Sequence, residues 1–197
     1  MRIGLSEHAV TPGTAVVNIL GLSGSLRAAS VNSMLLRAMA RLAPRHIHVS
    51  VFNGLGELPL FNPDLEANLP APVAAFHRAV AHADALLFAS PEYAHGVTGT
   101  IKNALDWLVG FEPFASKWVA VLNAAPRAHH ADDALRETLK TMAAVIVEPA
   151  SISIPLLGAG LDEAAIEASS AGALRECLLG YPGGSADARR LAGFPIK

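Results

Sequence analysis

The 197-residue chain has one cysteine, Cys177, and is sparing with rings and charges: aromatic residues make up 6% of it and Asp, Glu, Lys and Arg together 16%. A single cysteine excludes an internal disulfide and fits a reducing compartment, and Cys177 is expected to pack as a small hydrophobe on a helix. The formal net charge is only −2, and no basic run is longer than Arg189-Arg190. This balance argues against a nucleic-acid partner and against a strongly acidic electron carrier. Charges or prolines interrupt every apolar run before it reaches the length of a membrane span, so no membrane partner is expected. Met1 to Ala15 includes Glu7, His8 and Pro12 and lacks the apolar stretch of a signal peptide. It reads as an N-terminal extension over residues 1–14, and the protein as cytoplasmic.

What the chain does have is apolar content, 52% of its residues, enough at this length for one sizeable core and one domain. Strand patterns cover Val16–Leu22, Ile47–Phe52, Ala85–Ser90, Trp118–Asn123 and Val145–Ile154. Helical patterns cover Asn32–Ala43, Pro72–Ala83, Thr100–Gly110, Asp132–Ala143 and Asp162–Leu178. Alternation with short connections predicts βαβ crossovers and a parallel sheet, hence an α/β fold. Asn53 to Pro70 is expected to be a long, functional loop, and Tyr181 to Lys197 a loosely ordered tail.

Two loops carry the chemistry. Gly24-Ser25-Leu26-Arg27-Ala28-Ala29-Ser30-Val31-Asn32-Ser33 follows an apolar strand and opens a helix. Backbone N–H groups at such a turn converge where the helix dipole favours negative charge, which makes a phosphate seat. Ser25, Ser30 and Asn32 add neutral hydrogen bonds, and Arg27 a planar, permanently charged fork. On these residues alone, an ordinary βα turn capped by Ser30 or Asn32 competes evenly with the phosphate reading. The second loop, Pro91-Glu92-Tyr93-Ala94-His95-Gly96-Val97-Thr98, leads into Gly99-Thr100-Ile101-Lys102-Asn103-Ala104-Leu105-Asp106-Trp107. Both loops leave the carboxyl ends of strands, where open α/β sheets bind ligands.

On these two motifs the chain, from about Val16 to near Leu157, resembles the NADPH-dependent FMN reductase family, flavodoxin-like enzymes that include chromate, quinone and azo-dye reductases. The resemblance implies a flavodoxin-like doubly wound five-stranded parallel sheet of order 2-1-3-4-5 over residues 15–180, with helices on both faces. It implies FMN as cofactor and NADPH or NADH as co-substrate. Ser25, Leu26, Arg27, Ser30, Asn32 and Ser33 would lie at the FMN phosphate. Pro91, Glu92, Tyr93 and Ala94 would lie against the isoalloxazine ring, partly through backbone groups. Lys102, Asn103, Asp106 and Trp107 match a structural and subunit-contact signature. The implied activity is two-electron transfer from NAD(P)H through flavin to a quinone, azo compound, metal oxyanion or free flavin by a ping-pong route, with no residue required as nucleophile or general base. His95 would sit beside the ring. A homodimer or homotetramer is implied, with the helix over Thr100–Gly110 and the aromatics Phe111 and Phe114 beside the flavin loop as contact surface.

Two departures stand out. The family usually has Asn after the Tyr, where this chain has Ala94. The loop Asn123 to His130 has no glycine, so backbone needing a positive φ is harder to reach there. A flavodoxin-type electron carrier and a flavin-free binding protein on the same fold are the alternative readings. Gly21-Leu22-Ser23-Gly24-Ser25 misses the hydrolase nucleophile elbow because Ser25 stands where a second glycine is needed. His129-His130-Ala131-Asp132-Asp133 contains metal-ligand types, yet adjacent histidines are expected to point apart and Asp132 suits a helix start, so no metal is expected.

Overall fold

The computed structural model describes residues 16–125, 127, 129–156 and 162–181. The expected extension over residues 1–14 and the tail from residue 182 lie outside them. Strands β1 (Val17–Ser23), β2 (Ile47–Phe52), β3 (Ala85–Ala89), β6 (Trp118–Leu122) and β7 (Val145–Ile146) form one sheet in the order β2-β1-β3-β6-β7. All pairings in it are parallel. This is the flavodoxin-like order. A second, two-stranded antiparallel unit pairs β4 (Glu92–Tyr93) with β5 (Gly96–Val97).

Alternation along the central strands divides the core in two. Ile19, Leu87 and Leu122 face one side, with Leu35, Leu36 and Met39 of α1 (Val31–Leu42) and Leu174, Cys177 and Leu178 of α5 (Glu163–Gly180). Leu22, Phe88 and Val121 face the other, with Phe76 of α2 (Ala71–His82), Ile101 and Leu105 of α3 (Gly99–Asp106), and Leu135 and Leu139 of α4 (His129–Thr141). All five residues of β3 are buried, as a central strand covered on both faces requires.

Three expectations need correction. The strand expected over Val145–Ile154 is only two residues long, because Pro149 cannot donate to a ladder and Glu148–Ala150 winds into a 3₁₀ turn; a bridge between Asn123 and Ser153 resumes the pairing. Tyr181, assigned to the tail, is buried, and its hydroxyl donates to the Leu86 carbonyl at 2.8 Å. The aromatic contact surface expected after α3 is spent within the chain: Phe114 is 1% exposed and Phe111 stacks on His77 at 4.0 Å.

The long loop is built rather than loose. Two 3₁₀ turns, Leu55–Glu57 and Pro63–Asn68, structure it. α3 clamps it: Asn103 accepts from the Phe61 N–H at 2.8 Å and donates to the Pro59 carbonyl at 3.0 Å, where the Trp107 indole also donates at 2.8 Å. Asn103 and Trp107 are thus structural, as their motif implied.

Candidate functional site

The site lies at the carboxyl ends of β1, β3 and β6. β1 runs into Gly24, whose N–H donates to the Ala89 carbonyl at 2.8 Å. A Cβ on Gly24 would fall 2.3 Å from Ser90 Oγ and 2.9 Å from Ile101, so only glycine lets the first loop cross this closely over the end of β3. The loop then climbs to α1. Ser30 is the N-cap and accepts from the Ser33 N–H at 3.4 Å, leaving its own hydroxyl proton free to donate. Ser33 Oγ lies 2.8 Å from Ser23 Oγ, so Ser23, the serine of the near-elbow, sits in a serine pair at the strand end.

Several groups in this loop have no partner among the described residues. Leu26, Arg27, Ala28 and Ala29 are exposed, and the Arg27 guanidinium makes no ion pair among the described residues. Asn32 is buried, and its side-chain oxygen has no hydrogen-bond partner among the described residues. A buried amide oxygen without a partner is uncommon in a folded chain and marks a place where a donor, from water or from a ligand hydroxyl, completes it. Free hydroxyl protons, a helix N-terminus and an unpaired guanidinium together suit an anion of phosphate type.

The second loop is the β4–β5 hairpin. Its two central residues, Ala94 and His95, have φ 49° and 59°, the left-handed turn that joins strands so closely. Pro91 and Glu92 are half-buried, while Tyr93 is 61% exposed and presents its ring at the rim. Glu92 spends its carboxylate on α4: Oε2 accepts the Ala131 N–H at 2.8 Å. Ser90 Oγ and Thr98 Oγ1, 3.4 Å apart, close the hairpin at its base, and Thr98 caps α3.

The third loop follows β6. Asn123 Oδ1 accepts from the Ala125 N–H at 2.9 Å, and none of the described residues of this loop takes a positive φ. His129 and His130 do not point apart as expected: their rings lie 4.1 Å from one another, and His130 stacks on His95 at 4.3 Å. Among the described residues no group of three or more His, Cys, Asp or Glu side chains is placed to hold a metal ion.

The first loop thus stands at the β1 end of the cleft, with the hairpin and the start of α4 at the β3 and β6 end. The residues sequence reasoning missed are Ser90, Thr98 and Ala131. Ser90 lies just before the second motif and Thr98 within it, and neither carries a signal of its own, while the Glu92 to Ala131 bond spans 39 positions and has no local signature.

The sequence profile of the NADPH-dependent FMN reductases matches residues 17–156. The chain belongs to that family. Among curated proteins it is 39% identical over 112 residues to an NAD(P)H-dependent FMN reductase of Pseudomonas aeruginosa, covering 55% of this chain and 60% of that one. It is 34% identical over 109 residues to a quinone reductase of Escherichia coli, covering 53% and 58%. The match therefore spans about 60% of the length of these relatives. Among solved structures it resembles the flavoenzyme NAD(P)H:(acceptor) oxidoreductase FerB of Paracoccus denitrificans, with 29% identity, a TM-score of 0.62, and coverage of 74% of this chain and 79% of that one.

Proposed function

We propose that the protein is an NAD(P)H-dependent FMN-containing oxidoreductase that reduces small acceptors such as quinones, azo compounds, metal oxyanions or free flavin. The observation that carries this reading is the loop after β1, where the exposed Arg27 makes no ion pair among the described residues and the Ser30-capped N-terminus of α1 opens on the same loop. Family membership and the flavoenzyme likeness support it.

The residues present fit FMN. Ser25, Leu26, Arg27, Ser30, Asn32 and Ser33 would hold the phosphate, with Arg27 supplying charge and the α1 N-terminus supplying aligned N–H groups. Pro91, Glu92, Tyr93 and Ala94 would offer backbone and rim surface to the ring. Bound FMN supplies the redox chemistry, taking two electrons as hydride from NADPH or NADH and returning them to the acceptor. The chain's own work is to bind, orient and leave one ring face open; no side chain is needed as nucleophile or general base. His95, exposed on the hairpin, would lie beside the ring in this reading and could steady negative charge there.

Titration of the purified protein with FMN tests the seat. Arg27→Ala removes a charged hydrogen bond, so affinity should fall roughly ten- to a hundredfold. Unchanged affinity would remove Arg27 from the phosphate site, and a colourless protein that takes up no flavin would favour a binding protein on this fold. Rapid NAD(P)H oxidation separates a reductase from a flavodoxin-type carrier.

The same reading includes a homodimer or homotetramer acting as a soluble, cytoplasmic enzyme. With Phe111 and Phe114 turned inward, the contact surface moves to Val109, 68% exposed beside an open groove of ≈ 550 Å³ between α3 and α4. A monomer mass by sedimentation equilibrium at micromolar concentration would refute the oligomer. Among the described residues no helix is long and apolar enough to cross a membrane.

A further inference from the structure

The β4–β5 hairpin meets α4 at two points. Glu92 Oε2 accepts the Ala131 N–H at 2.8 Å, and the His95 ring stacks on His130 with centroids 4.3 Å apart and planes 21° from parallel. Each contact joins the same two elements. Between them the chain turns through Ala94 and His95 at φ 49° and 59°, a region that residues with a Cβ avoid. Such conformations persist where the surroundings over-determine them. α4 is a firm anchor, since Arg136 bonds Asp132 at 2.6 Å within the helix and Glu148 at 3.0 Å beyond it.

We propose that Glu92 and the His95–His130 pair form a latch that holds the hairpin where it meets the flavin ring, making Glu92 a positioning residue that acts through α4. This rests on the reading that FMN occupies the cleft. Two strands of two residues each are marginal on their own. A carboxylate on a first-turn N–H of a 13-residue helix is a charge-assisted bond at the favourable end of the dipole. Without it the hairpin divides its time between competent and open positions, and apparent affinity falls by the competent fraction.

The test uses the full chain and two ligands, FMN and riboflavin, which share the ring and differ by the phosphate. Glu92→Ala is expected to weaken both by about tenfold and to leave their affinity ratio as in wild type, because the phosphate loop is untouched. Glu92→Gln, whose amide oxygen still accepts the Ala131 N–H, should stay within about threefold of wild type. In flavin-free protein, amide hydrogen exchange at Ala131 and in the hairpin should quicken in the Ala variant and not in the Gln variant. His130→Ala, which removes the stack from an exposed position, should lower affinity for both flavins by about threefold, giving a second reading should Glu92→Ala fold poorly. Wild-type binding with both Ala variants unaffected would overturn the proposal alone, as would a Gln variant that falls as far as Ala. A wild-type protein that takes up neither flavin would overturn the functional reading and the proposal together.

Discussion

Single residues carry the main departures from the family pattern, and the structure gives them physical meaning. Ala94 stands where the family usually has Asn, and at φ 49° it occupies the conformation that Asn tolerates better than Ala. Ala94→Asn should therefore raise stability, by a few tenths to about 1 kcal/mol, through relief of backbone strain. Urea unfolding of the two proteins checks this; an equal or lower midpoint would mean that the turn is not strained at Ala94. Cys177 shows the opposite case, a residue whose environment was legible from the start. Its apolar helix neighbours predict burial, and burial pushes its thiol up to about 12, so it packs as a hydrophobe with Sγ 3.0 Å from the Ala150 carbonyl. What the sequence hid at this scale is Glu92, whose motif pointed to the flavin while its carboxylate caps a helix far along the chain.

Elements were legible wherever periodicity ran long. The five helices and the four longer strands of the sheet fall close to their expected ranges because each buries a regular face. The hairpin β4–β5 was not, since two-residue strands cannot show alternation and its turn lacks the Asn-Gly signal. Nor was the pairing of α1 with α5, made by Arg37 and Arg41 on Glu163 and by Arg41 on Glu167. Hydrogen bonds from Arg41 and then Arg37 hold the Glu163 carboxyl below its ordinary range. A carboxyl with a lower pKa folded than unfolded stabilises the fold above its unfolded value, and that contribution is lost as pH falls through the folded one. These side chains are largely solvated, so the effect is small, under about 1 kcal/mol. Glu163→Gln should lower the urea midpoint slightly near pH 7, and the gap should close as pH falls through the folded value of Glu163, below which both side chains are neutral. A gap that persists in acid would mean that Glu163 acts through packing rather than charge.

At the scale of the molecule, the proposed reaction points to the cleft at the strand ends. The loops after β1, β3 and β6 meet at the carboxyl ends of the strands, where the sheet order reverses between β1 and β3. Two grooves among the described residues lie elsewhere. One of ≈ 340 Å³, lined by Asn18, His48 and His82, opens along β1, β2 and α2, and the other lies between α3 and α4. In the proposed mechanism a nicotinamide and an acceptor that both need the open ring face would use it in turn. Among the described residues, the rim that would meet them offers Tyr93 and imidazoles rather than a convergent set of buried polar groups, and strong discrimination needs groups that a wrong substrate would leave unpaired. Initial rates at varied NAD(P)H and several fixed quinone concentrations should therefore give parallel double-reciprocal lines, with kcat/KM differing little among quinones of similar size. Intersecting lines would require both partners bound at once, and a second binding place would have to be sought away from the strand ends.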